Sequence, residues 1–234
     1  MRVSAVVPAL DEEEFLTDCL QALAGQQQLA EVIVVDGGSS DATLQRANDA
    51  LGRLQADGIS TLVIQAPRGR GPQLNAGAAR ASGDLLLFLH ADTRLPRGGV
   101  AEAARVARDG CVGGAFRHAF IERDIRLWMV STSANLRSAA RRLFFGDQAI
   151  FVRRDLFIRL GGFADIPLME DIDFSTRMRR AGRTALLSAT VLTSGRRFLR
   201  GGFWRTCARM ILLRTAWRLG VKPALLDRHY QVVR

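Results

Sequence analysis

Apolar positions in the first ninety residues fall into short blocks of two kinds. Val3 to Val7 is a β-branched and apolar run stopped by Pro8; Glu31 to Val35, Thr61 to Ile64 and Leu85 to Leu89 are three more, the last the most hydrophobic. Continuous apolar runs of this length read as strands buried on both faces, as in parallel sheets. Between them the spacing becomes helical. Phe15, Leu16, Cys19, Leu20 and Leu23 follow Asp11, Glu12, Glu13 and Glu14, which puts acids in a first turn where the helix dipole favours them. Helices are expected over 42–54 and 73–81, the second after the loop Arg68-Gly69-Arg70-Gly71-Pro72 and broken by Gly83. This alternation predicts an open, mostly parallel α/β sheet with helices on both faces. Ligands of such sheets bind beyond the carboxyl ends of the strands. Pro8 to Asp11, Asp36 to Asp41 and His90 to Asp92 all lie there.

Beyond residue 110 the pattern is less regular. Strands are expected over 111–120, 149–152 and 185–187, and helices over 124–145, 155–160 and 170–181, with Gly161-Gly162 capping the second helix. Gly146-Asp147-Gln148 reads as a turn. No repeat, low-complexity tract or linker divides the chain, so a single domain over 1–234 is expected, with functional parts 1–110, 111–195 and 196–234.

A hydrophobic share of 48% and a charged share of 24% suit a globular core. The net charge of +10 and pI of about 11.2 add more. Lys222 is the sole lysine, and arginines crowd the stretch from Arg196 to Arg218 while acids gather near the N-terminus. Such a balance fits an anionic partner, whether nucleic acid, a phosphorylated ligand or a membrane surface, and equally a plain preference for arginine. Cys19, Cys111 and Cys207 form no CxxC pair, which points to a reducing compartment and small buried side chains. The first ten residues have no basic, apolar leader pattern, and no run of about 18 apolar residues exists. A cytoplasmic protein, soluble or peripheral on the membrane's inner face, is expected. Neither GxGxxG nor GxxxxGK[ST] is present, so a dinucleotide-binding dehydrogenase is poorly supported and a P-loop is excluded.

Five motifs in order carry a more specific signal. They are Val6-Val7-Pro8-Ala9-Leu10-Asp11-Glu12, Val34-Val35-Asp36-Gly37-Gly38-Ser39-Ser40-Asp41, Asn75-Ala76-Gly77 with Arg80-Ala81, Gly83-Asp84 through His90-Ala91-Asp92, and Gly161-Gly162-Phe163 with Glu170-Asp171-Ile172-Asp173. Together they resemble the family 2 glycosyltransferases of GT-A fold. His-Ala-Asp in place of the family's Asp-x-Asp resembles a small soluble bacterial branch.

The resemblance implies inverting transfer of a sugar from a nucleoside-diphosphate sugar, UDP-linked, to a hydroxyl or carboxyl acceptor, lipid-like in many members. Pro8, Ala9, Leu10 and Asp11 would wall the base, Asp36 and Gly37 would take the uridine, and Arg80 and Ala91 would also contact the donor. Asp92, with His90, would hold a divalent cation, manganese or magnesium, that neutralises the leaving diphosphate. Asp171 would be the base, with Glu170, Asp147 and Gln148 on the acceptor side. In this division 1–110 binds the nucleotide sugar, 111–195 is the acceptor and catalytic half, and 196–234 is a basic amphipathic tail.

Plainer roles fit several of these residues. Asp36-Gly37-Gly38 can be a capped turn with Ser40 or Asp41 as helix N-cap, His90 can simply pack, and Glu170, Asp171 and Asp173 can complement a helix N-terminus. Arg68 and Arg70 suit phosphates or a solvated loop. Phe203, Trp204, Met210, Ile211, Leu212, Leu213, Trp217 and Leu219 among arginines suit peripheral membrane contact through 196–219, and equally a helix coating the core or a dimer contact. No Gln-x-x-Arg-Trp element follows, which argues against a processive polysaccharide synthase. Nucleotidyl transfer on a similar fold and nucleic-acid binding are the rival functions. The acidic edge of Asp11, Asp36, Asp41, Asp92 and Asp171 would repel a polyanion, so no nucleic-acid partner is expected.

Overall fold

The four apolar runs of the first half pair side by side. In the computed structural model, described over residues 1–227, β1 (Val3–Ala9), β2 (Leu29–Asp36), β3 (Ser60–Gln65) and β4 (Leu85–Phe88) are all parallel, in the order β3-β2-β1-β4. Pro8 does not stop β1. It pairs with Val35, while pairing with β4 ends at Val6, so the proline falls where the strand has only one neighbour.

Three helices connect these strands: α1 (Leu16–Gln21), α2 (Thr43–Ala56) and α3 (Arg70–Arg80). α1 is shorter than its spacing suggested. Asp11 to Glu14 lie outside it, and Asp11 turns the chain with a left-handed φ of 53°. α3 starts earlier than expected, at Arg70, with Pro72 inside the first turn, where the missing amide has no intrahelical acceptor to lose. Gly77 sits where α3 meets the sheet. A β-carbon there would stand 2.4 Å from Val6 and 2.9 Å from Val35, so only glycine permits this approach.

The second half adds β5 (Thr93–Arg94), α4 (Gly99–Arg108), β6 (Gly113–Phe120), α5 (Ile125–Arg141), a 3-10 turn over Gly146–Gln148, and β7 (Ile150–Arg153). Then come α6 (Arg154–Arg159), α7 (Glu170–Ala181), β8 (Thr184–Thr193), α8 (Arg196–Gly201), α9 (Phe203–Arg218) and α10 (Pro223–Asp227). The sheet continues past β4 as β7-β6-β8-β5; β7 runs antiparallel to both β4 and β6, and β6 is parallel to β8. α4 was not expected, although Val100, Ala103, Ala104 and Ala107 bury one helical face. β8 extends well beyond 185–187.

Alternate residues of each strand feed opposite layers. Val3, Ala5 and Val7 of β1 and Leu85 and Leu87 of β4 pack against α1, α2 and α4; Val6, Leu86 and Phe88 pack against α3, α6 and α7. Both faces are covered, which explains why these strands read as continuous apolar runs.

Candidate active site

Strand ends and the loops that follow them bring the polar clusters together in two groups. The first is made by the turns after β1 and β2. Asp36 is fully buried, and its carboxylate accepts hydrogen bonds from the Gly38 amide (3.0 Å), the Ser39 amide (3.2 Å) and the Ser39 hydroxyl (2.5 Å). Asp11 accepts from the Ser40 amide at 2.8 Å, and its own amide donates to Ser39 Oγ at 2.9 Å. Asp41 accepts from the Thr43 amide at 3.0 Å, while Ala42, and neither Ser40 nor Asp41, is the N-cap residue of α2. Ala9 and Val35 carbonyls are joined by Gln73, whose buried Nε2 donates to both at 2.8 Å. A β-carbon on Gly37 would touch that amide group at 3.0 Å. Ala9 therefore closes this turn through its carbonyl, which also accepts from the Gly37 amide at 2.9 Å, while Pro8 stays in β1 and Leu10 is half-exposed.

The second group surrounds a cavity of about 420 Å³, with Arg70, His90, Asp92, Asp147, Asp171 and Arg196 in its walls. Asp171, second residue of α7, is held by two amides: Gly146 N–H to Oδ2 at 2.8 Å and Ile172 N–H to Oδ1 at 2.7 Å. Gly146 is also where His90 packs, since a β-carbon there would lie 2.6 Å from His90 Cε1 and Nε2 and 3.6 Å from Asp171 Oδ2. Burial, then the charge of Arg70, hold the His90 imidazole below its usual range, against the pull of Asp92, Asp147 and Asp171. The loop that leads towards α7 is tied from afar. Asn75 of α3 makes two 2.9 Å bonds with the backbone of Phe163, directly after Gly161 and Gly162, which have φ of 74° and 71°. Two motifs 88 residues apart thus clasp each other.

Glu170 is 2% exposed and pairs with Arg70 Nε at 2.8 Å, while its Oε2 has no partner. Burial is the main cause that raises its carboxyl to about 7; Arg70 opposes this and Asp171 adds to it. Arg196, at the start of α8, joins the two groups. It is 11% exposed, contacts Glu12 at 2.5 Å and Asp92 Oδ2 at 3.4 Å, and lies 4.5 Å over the Phe15 ring. Burial raises the Glu12 carboxyl despite that partner.

Other expected residues lie elsewhere. Gln148 is fully buried, accepting from Ser138 Oγ (2.8 Å) and the Phe145 amide (3.2 Å) and donating to the Phe116 carbonyl (3.3 Å), so its amide is spent on the core and not on the cavity. Arg80 is exposed in the last turn of α3, which runs back from the site edge; Arg70, at the other end of the same helix, is the arginine that reaches the cavity. Ala91 is buried in the turn between β4 and β5. Gln73, Asn75, His118 and Arg196 were not singled out. Of these, Asn75 stood inside a quoted motif and Arg196 at the head of the basic tail.

A divalent cation fits this site in one way. Among the described residues no three His, Cys, Asp or Glu side chains gather as a metal set. An ion can also be held by one carboxylate and substrate phosphates. Asp92, 18% exposed at the cavity wall with no partner nearer than 3.4 Å, provides that carboxylate, provided the Arg196 guanidinium moves aside.

The arrangement is that of a known class of protein. Residues 4–163 match Glycosyl transferase family 2, and the chain belongs to that family. It is 32% identical over 187 residues to the PGL/p-HBAD biosynthesis glycosyltransferase of Mycobacterium bovis, covering 74% of this chain and 68% of that one. It is 28% identical over 113 residues to the undecaprenyl-phosphate 4-deoxy-4-formamido-L-arabinose transferase of Proteus mirabilis, covering 47% of this chain and 34% of the relative. The mannosyltransferase PcManGT from Pyrobaculum calidifontis, solved in complex with GDP-Man and Mn2+, superposes with a TM-score of 0.69 at 25% identity, over 95% of this chain and 66% of that chain. The GT-A architecture that the motifs implied is the one observed.

Proposed function

We propose that this chain transfers a glycosyl group, with inversion, from a nucleoside-diphosphate sugar to an acceptor held in the cavity. The observation that carries the reading is the convergence of Asp92 and Asp171 on one cavity, from opposite halves of the chain. In it the nucleoside lies along the turns of Asp11 and Asp36. The diphosphate reaches Asp92, where a divalent cation, when bound, neutralises the leaving group. Asp171, oriented by two amides, takes the proton of an acceptor hydroxyl as its oxygen attacks the anomeric carbon. The bond to the diphosphate breaks and its electron pair leaves with the diphosphate. PcManGT with GDP-Man and Mn2+ supports the donor class and the cation. Asp147 lines the same cavity, beside His118, on the acceptor side.

The acceptor and the tail are read together. α9 covers the cavity with Met210 and Leu213 while exposing Trp204, Ile211 and Leu212; α5 beside it exposes Ile125, Trp128, Met129 and Leu136. Arg126 of α5 stacks 5.3 Å from the Phe203 ring of α9, which places the two helices side by side. Apolar residues set among arginines suit a peripheral contact with an anionic membrane. The Proteus relative's undecaprenyl-phosphate substrate supports a lipid-like acceptor. No helix among the described residues is long and apolar enough to cross a membrane.

The test is a thermal-shift screen of UDP- and GDP-sugars with Mn2+ or Mg2+, followed by transfer assays on two variants. A bound donor raises apparent stability. Asp171→Asn is expected to keep donor binding and lose transfer, whereas Asp92→Ala loses metal-dependent donor hydrolysis. Normal transfer by Asp171→Asn refutes the base assignment. Release of pyrophosphate in place of a nucleoside diphosphate favours nucleotidyl transfer.

A further inference from the structure

One wall of the cavity carries positive charge that the donor chemistry leaves unused. Arg137 of α5 and Arg214 of α9 both line it, half-buried, and no carboxylate of the described residues forms an ion pair with either. Arg137 lies 5.6 Å from the Phe145 ring and reaches only Ser133 Oγ, at 3.4 Å, while its Nε is buried without a partner. Arg214 Nε donates to the Met210 carbonyl at 3.1 Å. Burial, then neighbouring guanidiniums, pull both below the usual arginine range; Asp147 is the acid that resists this for each.

His118 stands on the same wall. It is 2% exposed, and neither ring nitrogen has a hydrogen-bond partner. Asp147 Oδ2 is its nearest carboxylate oxygen, 3.9 Å from Nε2 and beyond hydrogen-bond reach. Each buried polar group left unsatisfied costs about 1–3 kcal/mol. Unsatisfied nitrogens on His118 and Arg137, beside the Arg214 guanidinium that faces no paired carboxylate, describe a site shaped for a group that is both an acceptor and an anion. Val130, Leu168, Ile211 and Leu213 make the adjoining surface apolar.

We propose that this wall is an oxyanion subsite of the acceptor. Arg137 and Arg214 hold a phosphate or carboxylate group, His118 shares a hydrogen bond with it, and an apolar portion lies along Val130, Leu168 and Leu213. Planar guanidiniums suit such oxyanions because they donate in pairs. The inference rests on the cavity being the acceptor side of a glycosyltransferase, and it assigns recognition, not proton transfer, to these three residues.

Calorimetry with decyl phosphate, decanol and inorganic phosphate, on the wild-type chain and on Arg137→Gln and Arg214→Gln, tests it. The wild type is expected to bind decyl phosphate at least roughly tenfold tighter than decanol, and each substitution to remove roughly tenfold of that, as for a charge-assisted hydrogen bond. Competition by inorganic phosphate shows that the oxyanion alone is recognised; binding of decyl phosphate without such competition assigns the subsite to amphiphiles, and both support it. Equal binding of decanol and decyl phosphate by the wild type overturns the subsite, and that arm needs no variant to fold. Variants that bind decyl phosphate as tightly as the wild type overturn it as well. UDP affinity, measured alongside, is expected to be unchanged in both variants. Absence of nucleotide binding in the wild type refutes the glycosyl-transfer reading instead.

Discussion

Glu170 makes stability depend on pH in a direction opposite to most carboxylates. Its carboxyl is 2% exposed, touches Arg70 through one oxygen and leaves the other without a partner. Folding raises it from 4.5 to about 7. Between these values the folded chain binds a proton that the unfolded chain has released, so the contribution is fully present below 4.5 and falls as pH rises through 7. The full difference is worth about 3 kcal/mol. That figure is an upper one, because Arg70 is 33% exposed and can follow the charge as it forms. Glu170→Gln keeps an oxygen for Arg70, supplies an amide near the unpartnered position and cannot ionise. Thermal melts of both proteins at pH 5 and pH 8 isolate the effect, since groups that titrate alike in both cancel in the difference. The Tm of Glu170→Gln relative to wild type is expected to rise between pH 5 and pH 8 by roughly 5–10 °C, at roughly 2–4 °C per kcal/mol for a chain of this size. Parallel pH curves refute the buried, proton-binding assignment.

Other positions give sharper tests of geometry. Gly146→Ala puts a β-carbon 2.6 Å from two His90 ring atoms; the ring must shift by about 1 Å, and transfer is expected to fall roughly 100-fold with donor binding kept. Wild-type turnover in this variant removes the tight packing around Asp171 from the mechanism. Arg196→Gln frees Asp92 from a guanidinium, and Mn2+ binding followed by electron paramagnetic resonance is expected to tighten roughly tenfold or more. Adding Asp92→Asn to that variant reverses the gain, and unchanged Mn2+ affinity in Arg196→Gln shows that the guanidinium does not compete. Trp128→Ser with Trp204→Ser, at residues 61% and 75% exposed, is expected to reduce sedimentation with anionic phosphatidylglycerol vesicles several-fold. Equal sedimentation without the tryptophans rejects this face as the membrane contact.

The first half of the sheet was legible because its pattern is local in sequence. Each strand is a continuous apolar run ending at a polar turn, and Asp11, Asp36 and Asp92 could be assigned to one edge from chain order alone. Boundaries failed where tertiary contacts outweigh local spacing. The acids before α1 look like a helix start, yet Asp11 and Glu13 serve the loop after β2, with Glu13 Oε2 accepting from the Ala42 amide at 3.0 Å. The wall proposed for the acceptor was much less readable. His118 lies in the middle of β6, and Gln148, polar and next to Asp147, looked outward while it is part of the core. Nothing in the order of residues places His118, Arg137 and Arg214 on one surface; the sheet reversal at β7 and the return of α9 over α5 do. Arg80 and Arg70 show the same limit within one helix, because motif spacing pointed to the end that faces away.

Arg196 and His90 bear on the same charge. Relative to the Asp-x-Asp that the motifs resemble, His90 replaces a carboxylate by an imidazole that burial and Arg70 keep neutral, which removes one negative charge beside Asp92. Arg196 adds one positive charge at 3.4 Å from Asp92. The two together shift the local charge by that of one divalent cation. Opposite charges this close interact strongly in a half-buried wall, so Arg196 offsets one of the two carboxylate charges of Asp92 and Glu12 before any ion or diphosphate arrives. In the proposed reaction a diphosphate entering here would meet a guanidinium as well as any cation, and the need for the cation would be correspondingly smaller. That is why Mn2+ affinity in Arg196→Gln is the informative quantity: it separates a carboxylate that waits for a metal from one whose counter-ion is already part of the chain.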